Sequence, residues 1–198
     1  MYAREACEDL RACGHYRSRR TNIITAVNDD RFRTRRAREL SEEGRSLQLR
    51  GEVERAIELY ERSIRIVPTA EAHTLRAWAY RSKNRIDEAI SECKRAIEVD
   101  PDLGNPYNDI GSYLLSQGKL DEAVEWLERA KGAKRYESPH FPFMNLGRVY
   151  AAKGMTLRAI QEFERALELA PGDATCLAAI AYLRDVSRPR AAVVDGNY

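Results

Sequence analysis

Residues 51–68, GEVERAIELYERSIRIVP, decide the fold, because the chain writes this phrase four times. It returns from Asn84 as NRIDEAISECKRAIEVDP, from Gly118 as GKLDEAVEWLERAKGAKR and from Gly154 as GMTLRAIQEFERALELAP. The starts fall 33, 34 and 36 residues apart. The sixth residue is always Ala (Ala56, Ala89, Ala123, Ala159), and Ile57, Ile90, Val124 and Ile160 follow it. Four positions after each Ala stands a larger group, Tyr60, Cys93, Leu127 or Phe163, and three further on Ser63, Ala96, Ala130 or Ala166. Apolar positions at i, i+1, i+4 and i+7 predict an amphipathic helix rather than a strand. Tiny side chains let a neighbouring backbone approach, and the bulky one fills the adjoining gap.

A second periodic stretch precedes each phrase: ARELSEEGRSLQL (37–49), AEAHTLRAWAYRS (70–82), GNPYNDIGSYLLS (104–116) and HFPFMNLGRVYAA (140–152). The eighth residue of each is small, Gly44, Ala77, Gly111 and Gly147. Gly inside a helix costs about 1 kcal/mol against Ala, so its recurrence predicts close approach of the partner helix. Pro106 and Pro142 suit a first helical turn. Gly51, Asn84, Gly118 and Gly154 suit a left-handed stop between the helices, and Pro68, Pro101 and Pro171 end the second helices. Each unit is therefore a helical hairpin of about 34 residues that must stack on its neighbours to bury its apolar face.

The array resembles the tetratricopeptide-repeat family. The columns that carry the resemblance read Tyr107, Ile110, Gly111, Leu114, Ala123, Leu127 and Ala130 in the third unit. In the fourth they read Phe143, Leu146, Gly147, Tyr150, Ala159, Phe163, Ala166 and Pro171. Pentatricopeptide repeats form similar hairpins, but the small-residue columns favour the tetratricopeptide assignment. The resemblance implies an all-α fold, an α-solenoid of four stacked helical hairpins in a right-handed superhelix with a C-terminal capping helix. Its units are 37–69, 70–103, 104–139 and 140–173, preceded by a basic arm (1–36), partly disordered or helical, and followed by the cap (174–186) and a flexible tail (187–198). Several positions depart from the pattern. Glu43, His73 and Arg76 replace apolar residues in the first two units, which predicts looser packing there. Arg135 replaces a terminal Pro, and the third unit carries two extra residues at its end.

By the same resemblance, the first helices line a concave groove. Its lining comprises Arg45, Gln48, Thr74, Trp78, Arg81, Asn108, Ser112, Phe141, Met144, Arg148 and Tyr182. Trp78 and Arg148 stand out, since aromatic and Arg side chains dominate binding hot spots. The alternative for each is partial packing between helices or simple solvation. Family members that grip acidic chaperone tails use a carboxylate clamp of Lys, Arg and Asn. The corresponding places hold Ser41, Arg45, Leu75, Asn105 and Asp109 in one frame, and Thr74, Trp78, Asp109, Phe141 and Asn145 in the next. Neither fits, so a chaperone-adaptor role is disfavoured. The lining suits an extended peptide or partner helix with apolar anchors and some acidic groups.

Asp173 is placed to cap the last helix, which reads apolar almost all round through Cys176, Leu177, Ile180, Tyr182 and Leu183. Its outer face is a candidate for self-association as a homodimer, for the tail, or for another protein; the alternative is a small-residue face that tolerates water. Near the other end, Arg31, Arg35 and Arg38 share one helical face that a phosphate surface or acidic protein would fit, though such runs are more often solvated. The loop KGAKRYESPHFPF (131–143) is a second basic and aromatic cluster.

Composition bounds the rest. Basic and acidic residues number 33 and 31, so the whole chain is no obvious polyanion binder, although residues 1–38 hold 10 Arg against 5 acids. No apolar run approaches the roughly 20 residues of a membrane helix, and the N-terminal residues contain no signal-peptide core. Four scattered cysteines do not make a disulfide framework, which predicts a reducing, cytoplasmic setting. Cys7, Cys13 and His15 have no metal-site spacing, and no phosphate loop or nucleophile motif occurs. The expectation is a protein-binding scaffold without catalysis, cofactor or metal, with nucleic acid and membrane disfavoured as partners.

Overall fold

The computed structural model describes residues 29–188, all of whose regular elements are helices. They are α1 (29–49), α2 (Val53–Ile66), α3 (Ala70–Ser82), α4 (Ile86–Val99), α5 (Asn105–Ser116), α6 (Leu120–Lys131), α7 (His140–Ala152), α8 (Thr156–Leu169) and α9 (Ala174–Val186). The cysteines at 7 and 13, His15, most of the basic arm and nearly all of the tail lie outside the described residues. Within them, α1 begins at or before residue 29, so the first helix runs at least eight residues ahead of the repeat boundary at 37.

Every hairpin turns in the same way. Gly51, Gly118 and Gly154 have φ of 84°, 74° and 71°, and Asn84, the one non-glycine at this position, has φ of 59°. Asn tolerates the left-handed region because its short polar side chain adds little strain there. The amide after each turn residue donates back to the carbonyl five residues earlier: Glu52 to Leu47, Arg85 to Tyr80, Lys119 to Leu114 and Met155 to Tyr150, at 2.8–3.0 Å. These bonds satisfy carbonyls that the end of an α-helix otherwise leaves open. Thr69 and Asp173 cap α3 and α9, each side chain accepting from the backbone N–H three residues on.

The hairpins stack so that α3, α5 and α7 form one layer against a second layer of α2, α4, α6 and α8, with each helix packed on its chain neighbours. Close approach inside the hairpins explains the small columns. A Cβ built on Gly111 would lie 2.5 Å from Leu127 Cγ, one on Gly147 2.8 Å from the Phe163 ring, and one on Gly44 2.7 Å from the Tyr60 ring. The partners stand sixteen residues apart in every unit. In the second unit the small residue grows to Ala77 and the large one shrinks to Cys93, and both are fully buried in the same core cluster. A larger residue in the small column is thus met by a smaller one in the facing column.

The polar residues of the first two units do not loosen them, contrary to the sequence expectation. His73 and Arg76 are buried because Glu92 on the facing helix saturates them. Its Oε2 accepts from Arg76 Nε at 2.8 Å and bonds His73 Nδ1 at 2.8 Å, while Oε1 accepts from Arg95 at 2.9 Å. Burial works to raise the Glu92 carboxyl, but the bonds from His73 and Arg76 outweigh it and hold the group below the ordinary carboxylate range. Ser63, polar in a column of Ala, donates to the Ala37 carbonyl at 2.7 Å and is bonded to Ser41 at 2.9 Å. Glu43 points to solvent.

Two outcomes test this packing. Gly111→Ala gains about 1 kcal/mol of helix propensity but forces Leu127 aside at a typical overpacking cost of about 1–3 kcal/mol. Combined with Leu127→Cys, which copies the Ala77–Cys93 pair, the substitutions are expected to be non-additive by about 1 kcal/mol in the favourable sense, read from urea unfolding. Arg76→Ala alone, which leaves the buried Glu92 with only His73 and the exposed Arg95, is expected to cost about 3 kcal/mol. Grafting the third unit's own solution (His73→Tyr, Arg76→Ile, Glu92→Trp, after Tyr107, Ile110 and Trp126) is expected to be neutral or stabilising.

Candidate functional site

The layer of first helices carries a cavity of about 590 Å³. Its lining includes Arg45 from α1, Thr74, Leu75 and Trp78 from α3, Leu103 and Asn105 at the start of α5, and Arg135, Tyr136 and Glu137 from the loop after α6. The loop is what gives the cavity a further wall. Residues 132–139 fold back on the α4–α5 corner, where Gly104 N–H donates to the Arg135 carbonyl (2.8 Å) and Arg135 N–H to the Asp102 carbonyl (3.0 Å). The Arg135 guanidinium holds Asp100 and reaches Glu71 at 3.5 Å, and Lys134 Nζ lies 3.2 Å from Asp102. Tyr136 covers Gly104 so closely that a Cβ there would stand 2.7 Å from the ring.

Of the residues expected to line the groove, Arg45, Thr74 and Trp78 meet in this cavity. Trp78 is 37% exposed, and its indole N–H donates to Asp109 Oδ2 at 2.6 Å. The buried Thr74 hydroxyl is committed to the Ala70 carbonyl (2.8 Å). Gln48 turns into its own hairpin, where it accepts from the Tyr60 hydroxyl at 2.9 Å. Arg81 is exposed and Ser112 half-buried. Further along, Asn108 and Met144 are buried, Phe141 is exposed and stacked on His140 at 4.2 Å between ring centres, and Arg148 is exposed with Nη1 3.4 Å from Asn145 Oδ1. Tyr182 is exposed on α9.

The self-association set divides. Cys176, Ile180 and Leu183 are buried in the core cluster with Phe163 and Ala166 of α8, which leaves Leu177 and Tyr182, with Val186, on the outer face. On α1, Arg35 pairs with Glu39 and Arg38 with Glu42, so two of the three arginines on that face already hold carboxylates. Among the described residues no group of His, Cys, Asp and Glu stands ready to hold a metal, and no helix is long and apolar enough to cross a membrane.

Sequence reasoning missed Leu75, Leu103, Arg135, Tyr136 and Glu137 as cavity residues. The signal was the two-residue excess of the third unit together with Gly104, whose lack of a side chain makes room for Tyr136. Gly104→Ala is expected to push Tyr136 off the corner and open the loop. Hydrogen exchange at the amides of Gly104 and Arg135 should then rise at least tenfold, with the helical amides unchanged.

Comparison with known proteins agrees with this architecture. The tetratricopeptide-repeat family profiles match residues 70–103, 107–131 and 143–173. The chain is 31% identical over 103 residues to small glutamine-rich tetratricopeptide repeat-containing protein 2 of Saccharomyces cerevisiae, covering 52% of this chain and 30% of that one. It is 34% identical over 80 residues to bacteriophage adsorption protein A of Escherichia coli, covering 40% and 8%. The matched part thus spans at most 30% of the length of these two relatives. Among solved structures, Pseudomonas aeruginosa pilF superposes with a TM-score of 0.73 at 24% identity, over 78% of this chain and 70% of that one. YrrB, described as a tetratricopeptide protein with an unusual peptide-binding site, superposes at 0.59 and 21% identity, over 84% and 82%. Identities this low speak for the fold alone. Repeated small–large columns, uniform left-handed turns, stacked hairpins and three separate profile matches lead to one conclusion: the chain belongs to the tetratricopeptide-repeat family.

Proposed function

We propose that this protein is a non-catalytic adaptor that seats a peptide segment in the loop-walled cavity and along the first-helix layer beyond it. Tetratricopeptide-repeat proteins are generally protein–protein interaction scaffolds, and the chemistry of this layer narrows the ligand. One observation carries the reading: the cavity joins an accessible indole, Trp78, to the aliphatic walls of Leu75 and Leu103 beside an unpaired cation. Arg38, Arg50, Arg85 and Arg135 hold carboxylates. Arg45, Arg81 and Arg148 make no ion pair among the described residues, although the chain is nearly neutral overall. A peptide with one large apolar side chain and neighbouring Asp or Glu complements that surface. A micromolar complex, about −8 kcal/mol, is the expected strength. A reducing, cytoplasmic setting belongs to the proposal, in keeping with the free, buried Cys93 and Cys176.

A second reading, self-association through α9, draws on the exposed Leu177, Tyr182 and Val186. It is compatible with the first, and sedimentation of the full chain against Tyr182→Glu separates them. The direct test is panning a random 12-residue peptide display library on the full chain. Enriched peptides should combine a large apolar residue with Asp or Glu. A synthetic copy should lose at least about tenfold in affinity, ~1.4 kcal/mol, with either Trp78→Ala or Arg148→Glu, each shown folded by circular dichroism. Peptides that bind both variants as well as the wild type would place the binding surface elsewhere.

A further inference from the structure

A line of side-chain hydrogen bonds crosses the first-helix layer. Arg148 Nη1 donates to Asn145 Oδ1 at 3.4 Å, and Asn145 Nδ2 donates to Asn108 Oδ1 at 2.9 Å. Beside Asn108 in sequence stands Asp109, whose Oδ2 accepts from the Trp78 indole N–H at 2.6 Å. The Trp78–Asp109 bond thus ties α3 to α5, and the Asn145–Asn108 bond ties α7 to α5 at the adjacent residue. We infer that Asp109 is the positioning residue of the binding layer: its carboxylate fixes the Trp78 wall of the cavity, so that the charge on one side chain governs how the indole is presented. This deepens the peptide-binding reading and rests on it for its biological meaning.

Three observations carry the inference. Asp109 has no cationic partner among the described residues, so nothing but neutral N–H donors holds its charge. Such donors bind a carboxylate roughly twice as strongly as a neutral acid, which makes the hold on Trp78 dependent on ionisation. The groups that bear on Asp109 are Trp78 on α3, Cys93 on α4, Asn108 and Tyr113 on α5 and Tyr136 on the loop, with the Arg81 charge acting on the neighbouring Tyr113. Asp109 keeps some contact with solvent, but the protein packed about it desolvates the carboxyl and pushes it up to about 6, against the pull of Trp78 and Asn108. An acid raised in the folded state binds its proton more tightly folded than unfolded, so it lowers stability as pH climbs from about 4 to about 6. Asparagine would fill the same space without that penalty, and a desolvated charge kept in a cleft is a mark of functional sites.

The test uses the full chain carrying Trp126→Phe, which leaves Trp78 as the sole tryptophan. Its emission is expected to titrate with a midpoint near pH 6 and to become pH-insensitive in Asp109→Asn, which retains every histidine. Asn108→Ala, by removing a neighbouring amide that pulls the carboxyl down, should move the midpoint up by about half a pH unit or more. Urea unfolding of the wild type relative to Asp109→Asn should show the wild type losing ground between pH 4 and pH 6 by at least about tenfold in the equilibrium constant. A flat wild-type emission profile, or one that persists in Asp109→Asn, overturns the inference whatever the folding behaviour of the variants. For any peptide selected as above, affinity should fall severalfold below pH 6 in the wild type and stay constant in Asp109→Asn. A library that enriches no peptide counts against the binding proposal, while the Trp78 titration decides the role of Asp109 separately.

Discussion

Everything in this molecule depends on how closely two helices approach within a hairpin. At Gly44, Gly111 and Gly147 the facing side chain occupies space that a single methyl would claim. That contact sets the separation of the helices, which sets the angle at which one hairpin meets the next, and so places the first helices in a common layer. Dispersion and burial reward such contact only when no gap remains. The Ala77–Cys93 pair shows that the requirement is on the fit of the two residues together rather than on either alone. Glycine in mid-helix is a poor local choice that becomes a good one through its partner.

Polar groups inside the stack obey a second rule: they enter as complete sets. His73, Arg76 and Glu92 are acceptable together and harmful singly, since a buried charge without its partner is left desolvated. The fourth unit shows the incomplete version. Glu162 occupies the place of Glu92, but Phe143 and Leu146 stand where His73 and Arg76 would be. Its Oε2 is buried without a hydrogen bond among the described residues, and Lys131 Nζ lies 3.6 Å away. Along the first-helix layer the polar groups instead pair across helices, Asn145 with Asn108 and Trp78 with Asp109.

The architecture was legible because it is written in columns. Helix identity, hairpin turns, the Gly44, Gly111 and Gly147 contacts and the Asp173 cap all follow from residues that recur at fixed spacing or sit at helix ends. What the columns could not convey was anything unique to one unit. Gln48 occupies a groove position yet bonds Tyr60, because the only Tyr in its column supplies a hydroxyl within reach. His73 and Arg76 read as packing faults until Glu92, nineteen and sixteen residues away, is seen to complete them. Met144 and Asn108 share the groove register but lie buried, since successive first helices touch there. The cavity wall at Tyr136 comes from an irregular loop, and loop paths carry no periodic signal.

Solenoids are modular in principle: each unit touches only its neighbours, so units can be added, lost or exchanged with little effect elsewhere. The clasp at residues 132–139 withdraws that freedom from the middle of this chain. Its backbone grips the junction between the second and third units, and its Arg135 reaches Glu71 at the very start of the second. Residues 70–139 therefore form a block that evolution can lengthen at either end but cannot open by inserting a hairpin after α4 without dismantling the cavity. Repeat number can drift at the termini of such an array, while the block that encloses the cavity is inherited whole.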